Sequence, residues 1–461
     1  MLKSRTCHVL TIGICMVFVG QAQSLTPRPY DSLAIELFKS SLASMKAYDA
    51  LTDLATNIGN RISGSPNAEK AVQWTKKTME DFGLENVHLE PCMVPRWVRG
   101  RTEEGAIILP DGKRVNVKVA ALGGTISTPK KGITAEVVEV HSFEELQALG
   151  QRAKGKIIFF NRPFDRTKFY TFEGYGGAVN QRGGGAIEAA KVGGVMALVR
   201  SMTPRVDDVP HTGGMGYHDS IPKVPAAAIS TLGANMLSDL LAKEKKLKVY
   251  LNVSAETLPD VESANVVGEI RGTEFPNEVI VIGGHLDSWD KGQGAHDDGA
   301  GVMQCIEALR LIRQLGLKPK RTIRAVAFMN EENGGRGGQA YAAKDRPGER
   351  HIAAIESDMG GFMPRGFGVG TDSLRFEKVK RWEYLFKPIM ADRILPGGGG
   401  ADISWLAAKG VPQLNLIPET QRYFNYHHTD EDTIDKVEER EFQLGAACMA
   451  ILSYVLAQEG L

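Results

Sequence analysis

Val279–Gly301 constrains this chain more than any other stretch, and it reads V-I-V-I-G-G-H-L-D-S-W-D-K-G-Q-G-A-H-D-D-G-A-G. Four consecutive β-branched residues, Val279 to Ile282, suit a strand buried on both faces, where neither side needs a polar residue. Gly283 and Gly284 end that strand. His285 and Asp287 follow two apart, so in extended chain both side chains leave on the same face. A glycine-rich loop, Gly292 to Gly294, then leads to Asp297-Asp298. From Gly301 an amphipathic helix begins, with Val302, Ile306, Leu309 and Ile312 along one stripe. Acids and an imidazole between a buried strand and a helix predict a metal site at the carboxyl edge of an open α/β sheet, where such sheets bind ligands.

Composition narrows what such a site can serve. At 461 residues the chain has room for two or three domains. Its 55 Lys+Arg balance 55 Asp+Glu, which leaves no global field to attract nucleic acid or an anionic membrane. Function is therefore expected to be local, with no nucleic-acid partner. Lys3 and Arg5, the apolar run Val9–Val19 and the small or polar residues Gln21–Ser24 have the three-part grammar of a secretory signal over residues 1–24. The run falls short of the ~20 residues a spanning helix needs. The expectation is an exported protein, secreted or periplasmic, without a stable membrane span. Beyond the leader, Cys92, Cys305 and Cys448 are widely spaced and form no C-x-x-C pair, so neither a thiolate metal site nor a disulfide framework is expected.

Along the chain, a helical region over residues 32–57 precedes a turn at Arg61–Ser65. Ser65-Pro66 is a strong helix start, Ser as cap and Pro at the first position. Ala68, Val72, Thr75, Met79 and Phe82 then keep helical spacing, and Val87–Val94 alternates like a strand. From residue 105 to 256 the texture changes to short apolar strands, Val115–Ala120, Ala135–Val140, Lys156–Asn161, Val195–Val199, Val224–Ile229 and Val249–Val253, with helices over 185–192 and 232–242. None of these strands ends in acids and histidine, so 105–256 is expected to be a separate α/β module inserted into a catalytic domain formed by 25–104 and 257–461. His211 and His218, in a glycine-rich loop of that module, are expected to be solvated. The predicted catalytic fold is a mostly parallel, twisted sheet with helices on both faces.

Three strands of the last part deliver charged groups just past their carboxyl ends. Val279–Ile282 leads to His285 and Asp297, Thr322–Met329 to Glu331-Glu332, and Ile352–Ile355 to Asp358. The loop Asn425–Thr433 adds His427-His428. Unpaired acids gathered at one sheet edge repel one another unless a cation compensates. Imidazole with carboxylate suits zinc. Two histidines and three acids, one of them shared, can hold a pair of metals, and such a pair clamps both an attacking water and a substrate oxygen. Adjacent side chains at a strand end point to opposite sides. One of Glu331 and Glu332 is thus expected to bind metal and the other to take a proton from the water.

H-L-D-S-W-D-x-G-x-G-A-x-D-D-G-A-G, N-E-E-x-G-G, E-S-D-M-G and H-H-T-D-E-D-T together resemble the di-zinc exopeptidases that include aminopeptidases and glutamate carboxypeptidases. R-I-S-G-S at Arg61–Ser65, V-H-L-E-P at Val87–Pro91, G-I-T-A-E-V at Gly132–Val137 and H-T-G at His211–Gly213 extend the resemblance over nearly the whole mature chain. It implies hydrolysis of dipeptides or short peptides from one end, with two Zn2+ per chain. His285 and Asp358 would hold one ion, Glu332 and His428 the other, and Asp297 would bridge them. Glu331 would be the general base and Asp287 would sit behind His285 and fix its tautomer. The same resemblance implies a cis peptide at Asp297-Asp298, a protease-associated domain over 105–256 and a homodimer. Gly397–Gly400, ahead of Asp402, departs from the family's pattern. Carboxypeptidase and aminopeptidase action both remain open, and a non-catalytic binding protein on this scaffold is the reading from another class.

Overall fold

The V-I-V-I run divides as a doubly buried strand must. Val279 and Val281 pack into one apolar cluster with Phe328, Tyr341 and Leu406, while Ile280 and Ile282 pack into another with Val302, Ile306 and Ile451. All four are fully buried, and each such side chain contributes roughly 1.5–3 kcal/mol. They belong to a computed structural model that describes residues 28–461. The leader expected over residues 1–24 lies outside the described residues.

In chain order the first strands are β1 (Glu85–Ile108), β2 (Arg114–Val117), β3 (Val119–Ala121), β4 (Ile133–Val140), β5 (Ile157–Phe160), β6 (Met196–Arg200) and β7 (Ala226–Ile229). The rest are β8 (Lys248–Ile270), β9 (Phe275–His285), β10 (Arg321–Phe328), β11 (Arg350–Glu356), β12 (Pro364–Gly370), β13 (Arg393–Pro396) and β14 (Gln413–Pro418). They follow one another in space as β13-β12-β14-β11-β9-β10-β8, continuing through β4-β5-β6-β7-β3. The parallel core is β14-β11-β9-β10, flanked by antiparallel β12 and β8. Helices Asp31–Leu42, Ala300–Gln314 and Glu439–Glu459 contribute to the cluster on one face of this core, and Arg336–Ala343 and Ser404–Ala407 to that on the other. The sheet is therefore mixed α/β, as expected from the alternation of strands and helices.

Local signals mostly translate directly. The Ser65 hydroxyl accepts from the Ala68 amide at 3.1 Å, with Pro66 in the first turn of Pro66–Asp81. Most strands expected between residues 105 and 256 appear within a few residues of their predicted positions, although Val115–Ala120 is split in two and Val249–Val253 is only the start of the 23-residue β8. The strand expected over 87–94 is instead part of the 24-residue β1, paired antiparallel with β8 along its length. Pro95 and Gly100 are residue types that disfavour a strand interior. In the structure they sit where the register shifts, between Val94 and Arg96 and between Arg99 and Glu103, which is where a strand tolerates them. Positions 104/105 and 256/257 both fall inside this ribbon. Among the described residues Cys92, Cys305 and Cys448 are buried and form no disulfide.

The ribbon is tied to the segment ahead of β11 through Glu90 of β1, whose carboxylate accepts from Arg346 at 2.6 Å and Lys344 at 3.0 Å. Burial alone would push this carboxyl up, but His88, Arg346 and Lys344 outweigh it and bring it from 4.5 down to about 2. A depressed folded-state value stabilises above the unfolded value and is lost as pH falls from about 4.5 towards about 2. In chelator-treated protein, Glu90→Gln should lower the unfolding free energy by about 3 kcal/mol near pH 6, with the deficit shrinking below pH 4. Denaturant titration at the two pH values checks this, and equal deficits at both would contradict it.

Candidate metal centre

Strand order explains why the charged groups converge. β9 lies between β10 and β11, parallel to both, with Phe328 opposite His285 and Glu356 opposite Gly283. Residues following these three strands therefore leave one edge of the sheet together. His285 ends β9, Glu331 and Glu332 follow β10, and Asp358 follows β11. Asp297 enters from the loop before the Ala300–Gln314 helix, and the Asp297-Asp298 peptide is cis. Asp298 ties that loop down, accepting from the His285 amide at 3.0 Å and the Gly301 amide at 3.1 Å. A Cβ at Gly301 would lie 1.7 Å from the Ser357 carbonyl oxygen, so this approach admits only glycine.

The structure brings all six predicted donors and acids into one cluster. His285 Nε2 lies 3.2 Å from Asp297 Oδ1 and 3.4 Å from Asp358 Oδ1. On the other side, His428 Nε2 lies 3.4 Å from Asp297 Oδ2 and 3.1 Å from Glu332 Oε2. Asp297 thus presents one oxygen to each half. A tetrahedral zinc ion with bonds of about 2.0–2.1 Å holds neighbouring donors about 3.3 Å apart. The four measured separations match that spacing. Asp297 Oδ2 and Glu332 Oε1 are buried without any hydrogen-bond partner, as oxygens awaiting a cation would be. The residues present fit a pair of divalent ions.

The electrostatics agree. Burial first, then the neighbouring carboxylates, pushes Glu331 up to about 8 and Glu332 well above its ordinary range. Burial would lower the His285 imidazole, but Asp358, Asp297 and Glu331 outweigh it and raise it. A bound cation replaces this mutual repulsion with attraction, which is the reason such a cluster can be buried. Glu331 Oε2 stands 3.9 Å from His285 Nε2, and its side chain keeps 24% exposure against 3% for Glu332. The two glutamates point apart, with Glu331 towards the open side.

The surroundings hold what the pattern of residues did not disclose. Asp287 was expected behind His285. The acceptor at His285 Nδ1 is its main-chain carbonyl, at 2.9 Å, while its carboxylate stands off at 4.0 Å. That carboxylate instead receives the Asn330 and Glu331 amides at 2.7 and 3.1 Å and so positions the Glu331-Glu332 turn. His427 stacks on His428 at 3.5 Å, with its Nε2 3.8 Å from Asp297. His428 makes the closer contacts, and its Nδ1 lies 3.3 Å from the Arg182 guanidinium and 3.4 Å from the Thr212 carbonyl. Asp432 receives the amides of His296 and Asp297 at 2.7 and 3.1 Å.

Arg61 is fully buried and donates to the carbonyls of Leu286, Gln293 and Gly294 at 2.5, 2.8 and 2.9 Å, bracing the loop between His285 and Asp297 from behind. Its only sequence signal was the R-I-S-G-S motif. His211, expected to be solvated, is instead buried with neither ring nitrogen bonded. Burial, then His427, lowers it to about 3, so it is neutral. The loop around it is pinned, since the Thr212 amide donates to the His428 carbonyl at 3.0 Å and the Thr212 hydroxyl to the Ala121 carbonyl at 2.8 Å. Asp402, near the divergent glycines, is buried with both oxygens unbonded, next to Glu356, which burial and Asp358 push up to about 8.

Comparison with known proteins bears on this geometry. The sequence profile described as Peptidase family M28 matches residues 265–452. Carboxypeptidase Q of Bos taurus is 40% identical over 90% of this chain and 86% of its own length. Carboxypeptidase Q of Xenopus laevis is 40% identical over 92% of this chain and 88% of its own. Aminopeptidase YwaD of Bacillus subtilis is 23% identical over 96% and 91%. A crystal structure of a peptidase M28 precursor from Shewanella amazonensis superposes with a TM-score of 0.88 at 33% identity, covering 93% of this chain and 97% of that one.

Arg61→Lys keeps the charge but loses the planar fork that reaches the carbonyls of Gly59, Leu286, Gln293 and Gly294. Metal bound by that variant should be stripped at about tenfold to a hundredfold lower chelator concentration than from the wild type. Equilibrium chelator titration with metal analysis measures this, and an unchanged midpoint would dismiss the brace.

Proposed function

Because the chain belongs to peptidase family M28, we propose that it is a zinc-dependent exopeptidase hydrolysing dipeptides or short peptides from one end, in the manner named by its carboxypeptidase Q relatives. One observation carries the reading: the two oxygens of Asp297 each stand within 3.4 Å of an imidazole nitrogen, His285 on one side and His428 on the other. His285 and Asp358 would hold one zinc, His428 and Glu332 the second, and Asp297 both. Zinc there would polarise the scissile carbonyl and make water acidic enough to attack near neutral pH.

The protein's own groups do the rest. The carbonyl of Asp287 takes the proton-bearing Nδ1 of His285, leaving Nε2 bare on the cluster side. The Asp287 carboxylate holds the amides of Asn330 and Glu331, which fixes where the Glu331 side chain projects. Glu331 faces the open side, takes the proton from the attacking water and returns it to the leaving amine nitrogen. We include in the proposal residues 105–256 as an inserted unit that orients His428 through Thr212. Export behind the N-terminal leader and assembly as a homodimer belong to it as well. Among the described residues no helix is long and apolar enough to cross a membrane.

An aminopeptidase on the same scaffold is the alternative, favoured by the similarity to YwaD over 96% of the chain. A non-catalytic binding protein fits poorly, because every donor position is filled and aimed at its neighbours. Stripping the metal should abolish dipeptide hydrolysis, and added zinc should restore it. Glu331→Gln should bind zinc as the wild type does while kcat falls about a hundredfold to ten-thousandfold. Undiminished turnover in a zinc-loaded Glu331→Gln enzyme would overturn its assignment.

A further inference from the structure

Beside the metal-ligand loop lies a cavity of about 420 Å³ whose lining includes Met359, Asn415, Phe172, Arg365 and Arg393. That volume is within the range of ligand sites. No residue of the cluster lines it, but two of its lining residues stand next to β11 and the loop that carries Asp358. Met359 directly follows Asp358, about 3.8 Å on along the chain, and Asn415 sits opposite Glu356 in the β11–β14 pairing. Phe172, from the 105–256 part, stacks on Tyr423 with ring centroids 5.4 Å apart, and Tyr423 packs at 5.2 Å against His427, the neighbour of His428. Phe172 is held there because the neighbouring Thr171 hydroxyl donates to the Thr420 carbonyl at 2.9 Å.

The cavity wall is largely apolar, yet two guanidinium groups line it. Arg365 of β12 is half-buried and Arg393 of β13 is exposed. Among the described residues neither side chain has a carboxylate within 4.0 Å. The one acid on the lining, Glu419, is taken by Arg422 at 3.0 Å. Two unpaired cations at a cavity with low-dielectric walls attract an anion strongly, and a guanidinium matches a carboxylate in shape as well as charge. The anion that every linear peptide carries is its terminal carboxylate.

We infer that this cavity receives the C-terminal residue of the substrate, with Arg365 and Arg393 binding its free α-carboxylate. The inference rests on the peptidase reading and selects carboxypeptidase action within it. The scissile carbonyl lies at the cluster and the leaving amino acid lies in the cavity. The amide C–N bond breaks, the water oxygen goes to the acyl carbon, and the water proton goes to the leaving nitrogen.

The zinc-loaded protein is tested on Ala-Leu, Ala-Leu-NH2, N-acetyl-Ala-Leu and Ala-Glu-NH2. Wild type should cleave Ala-Leu and N-acetyl-Ala-Leu, and kcat/KM for Ala-Leu should exceed that for Ala-Leu-NH2 by about tenfold to a hundredfold, the range for a hydrogen bond to a charged group. Arg365→Gln and Arg393→Gln should each cut that ratio, acting mainly through KM, with zinc content kept and Arg393→Lys recovering part of it. Equal use of acid and amide, rejection of the N-acetyl peptide, or a ratio indifferent to both substitutions overturns the inference while leaving the peptidase intact. Cleavage of Ala-Glu-NH2 as fast as Ala-Leu also overturns it, since a side-chain carboxylate would then be the ligand. Failure to cleave any of the four peptides by zinc-loaded protein removes the peptidase reading itself.

Discussion

A single buried carboxylate shared between two imidazoles sets the terms for the rest of the molecule. Asp297 can face His285 and His428 at once only if strands, loops and a distant C-terminal segment are held to within a few tenths of an ångström. Without a cation that arrangement is costly, because Glu332, Asp358 and Glu331 crowd the same space in low dielectric. The fold therefore concentrates its rigidity here. The parallel β10-β9-β11 core aligns three strand ends, and the fully buried V-I-V-I run anchors the middle one from both faces.

Rigidity alone would not orient the donors, and a layer of main-chain hydrogen bonds does that work. Asp298 joins the end of β9 to the start of the helix that follows, and Asp432 holds the amide of Asp297. Arg61 braces the intervening loop through its carbonyls. The 105–256 part takes a share, since the Thr212 backbone bonds to His428 and the Thr171–Phe172 segment abuts Tyr423. At Gly213 a Cβ would lie 2.7 Å from His428 Nδ1, and φ is +132°, so glycine there lets the loop come so close. The centre is thus assembled from pieces far apart in the chain.

How much of this was legible depended on the range of the interaction. The Ser65-Pro66 start, the doubly buried strand and the switch from period 2 to period 3.6 are local, and they survive folding unchanged. β1 runs on past the alternating stretch Val87–Val94 because its partner strand absorbs Pro95 and Gly100 as register shifts, a pairing that local sequence does not show. His211 looked solvated because a glycine-rich loop is solvated by default. The loop is pinned through the next residue, Thr212, by Ala121 and His428, which local sequence does not reveal.

The amino-acid sequence by itself determined the chemistry: which strands are buried on both faces, which residue types stand at their ends, and that acids with imidazoles gathered there require a cation. These follow from side-chain identity and periodicity, which act over a few residues. Only the tertiary structure decided that His428 rather than the stacked His427 meets both Asp297 and Glu332 most closely, that the carbonyl of Asp287 and not its carboxylate contacts the His285 ring, and that two unpaired arginines look into a cavity beside Asp358. Each of those depends on distances between groups tens to hundreds of residues apart, and such distances exist only once the chain is packed.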